Sequence, residues 1–224
     1  TEISHFLFKP ANQHKATIIA FQGSGSKVVN WYKVIKPLVD NGYQVFMMDY
    51  RGFGKSKGKA SHSLVVQDAI RALKYVAERD DVKNGNVLVL GQSYGGQIAI
   101  YIAQQYSELI DGLITEGTFT SFSDEAAYSS PWIVRPLIKA VFSEPYISKE
   151  LISDVKLPML IVHSTEDKIV PFSMARTLFA NANSDKKLWK VKGKHVAAMI
   201  EYPTEYVTEV NALLNRIHNN SLRQ

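Results

Sequence analysis

The stretch NVLVLGQSYGGQIAIYIAQQY, residues 86–106, decides how the rest of the chain is read. An apolar run from Val87 to Leu90 breaks into Gly91-Gln92-Ser93-Tyr94-Gly95-Gly96 and resumes as a segment rich in Ala, Ile and Gln. A strand that becomes a helix within a few residues crowds its own backbone, and glycines on either side of the turn remove the collision. Ser93, at the apex, then stands at the end of a sheet in a conformation that ordinary loops relax. A hydroxyl held there is placed to act as a nucleophile.

Around that turn, short apolar runs alternate with longer amphipathic ones, without internal repeats or low-complexity tracts. The alternation predicts an α/β fold with a mostly parallel sheet of about seven strands. The strands are expected at 3–8, 17–21, 44–48, 87–90, 112–115, 159–163 and 188–191. Several are apolar on both alternating sets of positions, as strands covered by helices on both faces must be. Residues 64–79 place Val66, Ile70, Leu73 and Ala77 on one helical stripe, and the segment after Pro203 repeats the pattern with Val207, Val210, Leu214 and Ile217. At about 117–157, Gly117, paired serines, Pro131, Pro136 and Pro145 break up short apolar pieces, which reads as a small lid-like insertion in a single domain spanning 1–224.

Composition narrows the chemistry. The 224 residues are 46% hydrophobic and 21% charged, enough for one substantial core. No run approaches the ~18 apolar residues of a membrane span, so stable membrane insertion is not expected, and no stretch has the order of a signal peptide. The chain reads as soluble, with the cytoplasm favoured; its start at Thr1 rather than methionine is compatible with a removed targeting segment. The absence of cysteine excludes disulfides, thiolate metal sites and a cysteine nucleophile. Lys plus Arg number 26 against 21 Asp plus Glu, a net +5, yet no nucleic-acid-binding motif accompanies the excess. Lys186, Lys187, Lys190, Lys192 and Lys194 form its one concentration, either a solvated face or a patch attracting an anionic substrate or membrane surface.

A serine hydroxyl near neutral pH needs a base to take its proton and a carboxylate to orient that base. Ligands of open α/β sheets bind at the carboxyl ends of the strands, which restricts the search. Of six histidines, His195 follows the last strand in LWKVKGKHVAAM, with Gly193 shaping its loop; His62 is its rival, and His163 reads as structural. HSTEDKIVP offers Glu166 and Asp167 as the carboxylate, either of them equally a turn acid before a helix at about Pro171. Charge building on an attacked carbonyl oxygen calls for prepared donors. The N–H of Tyr94, at a helix start, is one, and the N–H of Ser24 in FQGSGS, shaped by Gly23, is the other.

Together these residues resemble the α/β-hydrolase family of serine hydrolases. AFQGSGS is similar to its oxyanion loop, DYRGFGKSKG to its Asp-x-Arg-Gly-x-Gly-x-Ser segment, GQSYGG to its nucleophile elbow, VHSTEDKIVP to its acid turn and GKH to its histidine loop. TEGTFTSF and the small insertion look most like the monoacylglycerol-lipase and serine-aminopeptidase-like branch. The resemblance selects Asp167 over Glu166 and implies a Ser93–Asp167–His195 triad cleaving a small-molecule ester, with no cofactor and no metal. It implies a structural role for Asp49 and Arg51. Gln22 departs from it, standing where the family often has histidine, which is expected to change the polarity of the pocket; only one strand candidate precedes the oxyanion strand, so the family's usual first strand is expected to be missing. Phe119, Phe122, Tyr128, Trp132, Phe142 and Tyr146 are aromatic in or near the insertion, and Phe119, Phe122 and Trp132 are the candidates to line an acyl site for short-to-medium chains. Amidase, aminopeptidase and thioesterase chemistry share the triad; an aminopeptidase would add a carboxylate such as Glu116 or Glu125 for the substrate amine. A non-catalytic binding protein on the same scaffold is the alternative from another class.

Overall fold

Seven segments hydrogen-bond into one sheet in the order β1-β3-β2-β4-β5-β6-β7. They are β1 (His5–Phe8), β2 (Ala16–Phe21), β3 (Tyr43–Met48), β4 (Val87–Gln92), β5 (Gly112–Glu116), β6 (Met159–Ser164) and β7 (Lys186–Val191). Only β1 runs antiparallel, against β3; every other pairing is parallel. The computed structural model describes residues 1–25, 27–135, 144 and 146–221.

Alternation within the strands explains the two helical layers. Ile18 and Ala20 of β2 and Leu88 and Leu90 of β4 face one apolar cluster, while Ile19, Phe21, Val87 and Val89 face the other. The first cluster is closed by α1 (Val28–Asp40) and by the last long helix, Pro203–Ser221, in which Val207, Val210, Leu214 and Ile217 are buried as their spacing predicts. The second is closed by α2 (His62–Ala77), α3 (Tyr94–Gln105) and the helix Phe172–Asn181. Among the described residues α4 (Phe122–Tyr128), α5 (Ser148–Leu151) and a short Ala198–Glu201 turn are further α-helical segments, with 3-10 turns at Ser107–Leu109, Trp132–Val134 and Ile152–Asp154. In chain order, Phe172–Asn181 is α6, Ala198–Glu201 is α7 and Pro203–Ser221 is α8.

The buried face of α2 differs from the expected stripe. Val65, Val66, Ala69, Ala72, Leu73 and Val76 are buried, and so is Asp68, whereas Ile70 and Ala77 are only half-buried. Asp68 is accommodated there by Arg51, whose Nε and Nη2 each donate to it at 2.6 Å in a two-pronged pair. Asp49 likewise serves the scaffold: Oδ1 accepts from Val28 N–H at the start of α1 and Oδ2 from Lys55 N–H. Two of the clustered lysines also have structural work, Lys186 donating to Phe179 O and Lys187 pairing with Glu209.

Candidate active site

The turn after β4 is as tight as its glycines imply. Ser93 has φ +53°, one of two non-glycine residues with positive φ among the described residues. Such a conformation is strained and persists only where its surroundings over-determine it. Here they do. Ser93 N–H donates to Glu116 O at 2.8 Å and Gly96 N–H to Ser93 O at 2.9 Å. A Cβ on Gly95 would lie 2.0 Å from Phe21 O, and one on Gly96 would lie 1.8 Å from Thr118 Oγ1, so the first turn of α3 approaches the end of β2 and the chain just after β5 with no room for a side chain at either glycine.

Three loops then converge at the carboxyl edge of the sheet. Ser93 Oγ is 2.9 Å from Nε2 of His195, in the loop after β7, and His195 Nδ1 is 2.6 Å from Oδ2 of Asp167, in the loop after β6. The turn fixes that carboxyl from the other side, because Oδ1 accepts from both Ile169 N–H and Val170 N–H at 2.9 Å. Asp167 is thus both turn acid and histidine partner. Burial opposes its charge, but the hydrogen bonds from His195, Val170 N–H and Ile169 N–H outweigh burial and hold the carboxyl below the usual carboxylate range. Adjacent Glu166 has a different task, its Oε2 accepting from Gly193 N–H and so bracing the histidine loop. His62 is held elsewhere, with Nδ1 3.0 Å from the Tyr94 hydroxyl, and burial lowers its pKa. His163 is structural: it lies wholly inside, with Nε2 2.8 Å from Val170 O.

The loop after β2 closes the arrangement. A Cβ on Gly23 would stand 3.7 Å from Ser93 Cβ, so this loop runs beside the serine, and exposed Ser24 follows it. Tyr94 opens α3, where backbone N–H groups lack intrahelical partners. Gln22 is fully buried, its side-chain Nε2 donating to Met48 O at the end of β3 and its backbone carbonyl accepting from the Tyr50 hydroxyl.

The family model for the alpha/beta hydrolase fold matches residues 16–137. This chain belongs to the alpha/beta hydrolase family. It is 30% identical over 213 residues to the uncharacterized protein YfhR of Escherichia coli O157:H7, an alignment covering 93% of this chain and 74% of YfhR. It spans less than two thirds of the length of several other curated relatives. Among solved structures, the Pyrococcus furiosus esterase Pf2001 superposes with a TM-score of 0.75 at 20% identity, covering 96% of this chain and 91% of the esterase. A monoacylglycerol lipase of Paleococcus ferrophilus gives a TM-score of 0.72 at 19% identity, covering 96% and 99%. At these identities the likeness is one of fold.

Among the described residues, Phe119, Phe122 and Tyr146 are joined by ring contacts that run through His62. Phe119 is buried with Val170 and Met174 and belongs to the core of the turn, with half-buried Phe122 against it. Phe122 also stands 5.9 Å from the Tyr94 ring and 5.1 Å from His62, beside the elbow. Tyr146 packs on Tyr101, and Tyr128 is exposed. The side chain of Trp132, and Phe142 with its surroundings, lie outside the described residues. Beside His195 opens a cleft of about 670 Å³ lined by Glu166, Lys168, Ile169, Lys194 and Glu201. Glu116, a candidate to meet a substrate amine, is instead buried and hydrogen-bonded to Gln92 and to Ala198 N–H. Sequence reasoning missed the role of Gln92, although its place beside Ser93 was a signal. Among the described residues no helix is long and apolar enough to cross a membrane, and no group of three metal-ligating side chains occurs.

Proposed function

We propose that the chain is a serine hydrolase that cleaves carboxylic esters of short-to-medium acyl chains through an acyl-enzyme. The observation that carries this reading is the unbroken line from Ser93 Oγ through His195 to Asp167, with contacts of 2.9 and 2.6 Å. His195 Nε2 removes the proton as Ser93 attacks the ester carbonyl, and Asp167 stabilises the imidazolium. The N–H groups of Ser24 and Tyr94 receive the oxyanion, and the imidazolium returns the proton to the departing alcohol. Water then repeats the attack on the acyl-enzyme, a sequence that requires no metal or organic cofactor.

Phe122 and Tyr94 flank the acyl side, and the polar-rimmed cleft beside His195 receives the alcohol. Burial of Glu116 removes that carboxyl as a site for a substrate ammonium. The test is covalent labelling with a fluorophosphonate, followed by intact mass and peptide mapping, alongside Ser93→Ala. A single adduct on Ser93, lost in the variant together with p-nitrophenyl butyrate turnover, is the expected result. Turnover by the folded variant at a near-normal rate would overturn the assignment.

A further inference from the structure

Behind the Ser93–His195 contact lies a second carboxyl. Glu116 ends β5 and is 2% exposed, yet it is tied to both halves of the site. Its Oε2 accepts from Nε2 of Gln92 at 2.7 Å, and Gln92 directly precedes Ser93. Its Oε1 accepts from the N–H of Ala198 at 2.9 Å, just beyond His195. Its own carbonyl accepts from Ser93 N–H. The next residue, Gly117, runs against the imidazole: a Cβ there would lie 3.0 Å from Cε1 and 3.1 Å from Nδ1 of His195.

The direction of this hydrogen-bond line is locked. The indole N–H of Trp31 donates to Gln92 Oε1 at one end, and the backbone N–H of Ala198 donates at the other. Neither group can accept. Gln92 must therefore present oxygen to Trp31 and nitrogen to residue 116, and residue 116 must accept on both arms. A carboxylate does so. A glutamine of the same shape leaves two donors facing each other at one arm.

We infer that Glu116 is a positioning residue for the reaction, holding the histidine loop and the nucleophile strand in one register so that His195 Nε2 stays on Ser93 Oγ. The inference rests on the serine-hydrolase reading above. Burial pushes the Glu116 carboxyl up, opposed by the hydrogen bonds from Gln92, Ala198 N–H and the Tyr206 hydroxyl of α8 and by the charge of His195; Tyr206 and His195 are the titratable groups acting on it. A buried carboxyl is costly to keep where an apolar residue of similar volume would pack, which fits a role beyond packing.

The test compares wild type, Glu116→Gln, and Trp31→Phe combined with Glu116→Gln. Each is measured for kcat and KM on p-nitrophenyl butyrate, for the rate of fluorophosphonate labelling, and for hydrogen exchange of the 193–199 peptide. Glu116→Gln should lower kcat and the labelling rate on the order of tenfold to a hundredfold, leave KM within about twofold and speed exchange in the histidine loop. Loss of the negative charge should also move the acid limb of the labelling profile to lower pH. Trp31→Phe removes the locking donor, so Gln92 can turn over and satisfy Gln at position 116. The double variant should then regain about tenfold in kcat over Glu116→Gln alone. If Glu116→Gln does not fold, Gln92→Met, which removes one of the two tethers, should show a kcat loss of about tenfold at unchanged KM. Glu116→Gln labelled at the wild-type rate with an unmoved acid limb would overturn the inference, as would a double variant no better than the single. Wild type that fails to label at Ser93 would instead bring down the serine-hydrolase reading, and this inference with it.

Discussion

Changing Asp167 to Asn alters one atom, and the structure dictates where that atom goes. Oδ1 of Asp167 is held by two backbone donors, Ile169 N–H and Val170 N–H, both at 2.9 Å. An asparagine must keep its carbonyl oxygen there, which forces the NH2 group into the place of Oδ2, opposite His195 Nδ1 at 2.6 Å. Facing a donor, the imidazole presents a lone pair at Nδ1 and carries its proton on Nε2, aimed at Ser93 Oγ 2.9 Å away. In that tautomer it cannot take the serine proton, and the charge that steadies the imidazolium is gone as well. Losing the correct tautomer and its counter-charge costs on the order of 10³- to 10⁴-fold in kcat, or about 4–5.5 kcal/mol of transition-state stabilisation. The fold should survive, because both backbone hydrogen bonds remain. The assay is kcat for p-nitrophenyl butyrate, with urea denaturation to check folding. A folded Asp167→Asn protein with kcat within tenfold of wild type would refute the reasoning.

Gly95→Ala would place a methyl carbon 2.0 Å from Phe21 O and 2.7 Å from Gln22 O, both backbone atoms. It should cost about 3 kcal/mol in urea denaturation, whereas Gly85→Ala, with only Val82 O at 3.5 Å, should sit within about 0.5 kcal/mol of wild type; equal midpoints for the two would contradict the packing described for α3. Acid sensitivity should follow from His163, whose pKa burial lowers from the usual 6.5. Between the folded value and 6.5 the unfolded chain binds the extra proton, so this contribution to stability is full above pH 6.5 and lost as the pH falls. Denaturation midpoints should decline on acidification toward pH 5 and do so less steeply in His163→Gln, whose amide can still donate to Val170 O; an equal slope in the two proteins would rule His163 out as the cause.

The strands, the elbow and the last helix were readable from residues 86–106 outward because each depends on neighbours in the chain. Whether a residue is apolar at spacing two or four, and whether glycine flanks a turn, are local properties, and they place seven segments and their two buried faces. Local pattern also brought Ser93 and the histidine loop to the carboxyl edge. It left Glu166 and Asp167 unseparated, because adjacent turn acids differ only in which way each side chain points; the Ile169 and Val170 N–H groups aim Asp167 at His195, while Glu166 is spent on Gly193 N–H. The burial of Asp68 was not legible either, because its partner Arg51 stands seventeen residues earlier, on another element. The line from Trp31 through Gln92 and Glu116 to Ala198 is built of hydrogen bonds whose partners lie up to 82 positions apart. No periodicity encodes such a line. It exists because parallel pairing of β4 with β5 sets Gln92 beside Glu116, and only the folded sheet brings that pair under the histidine.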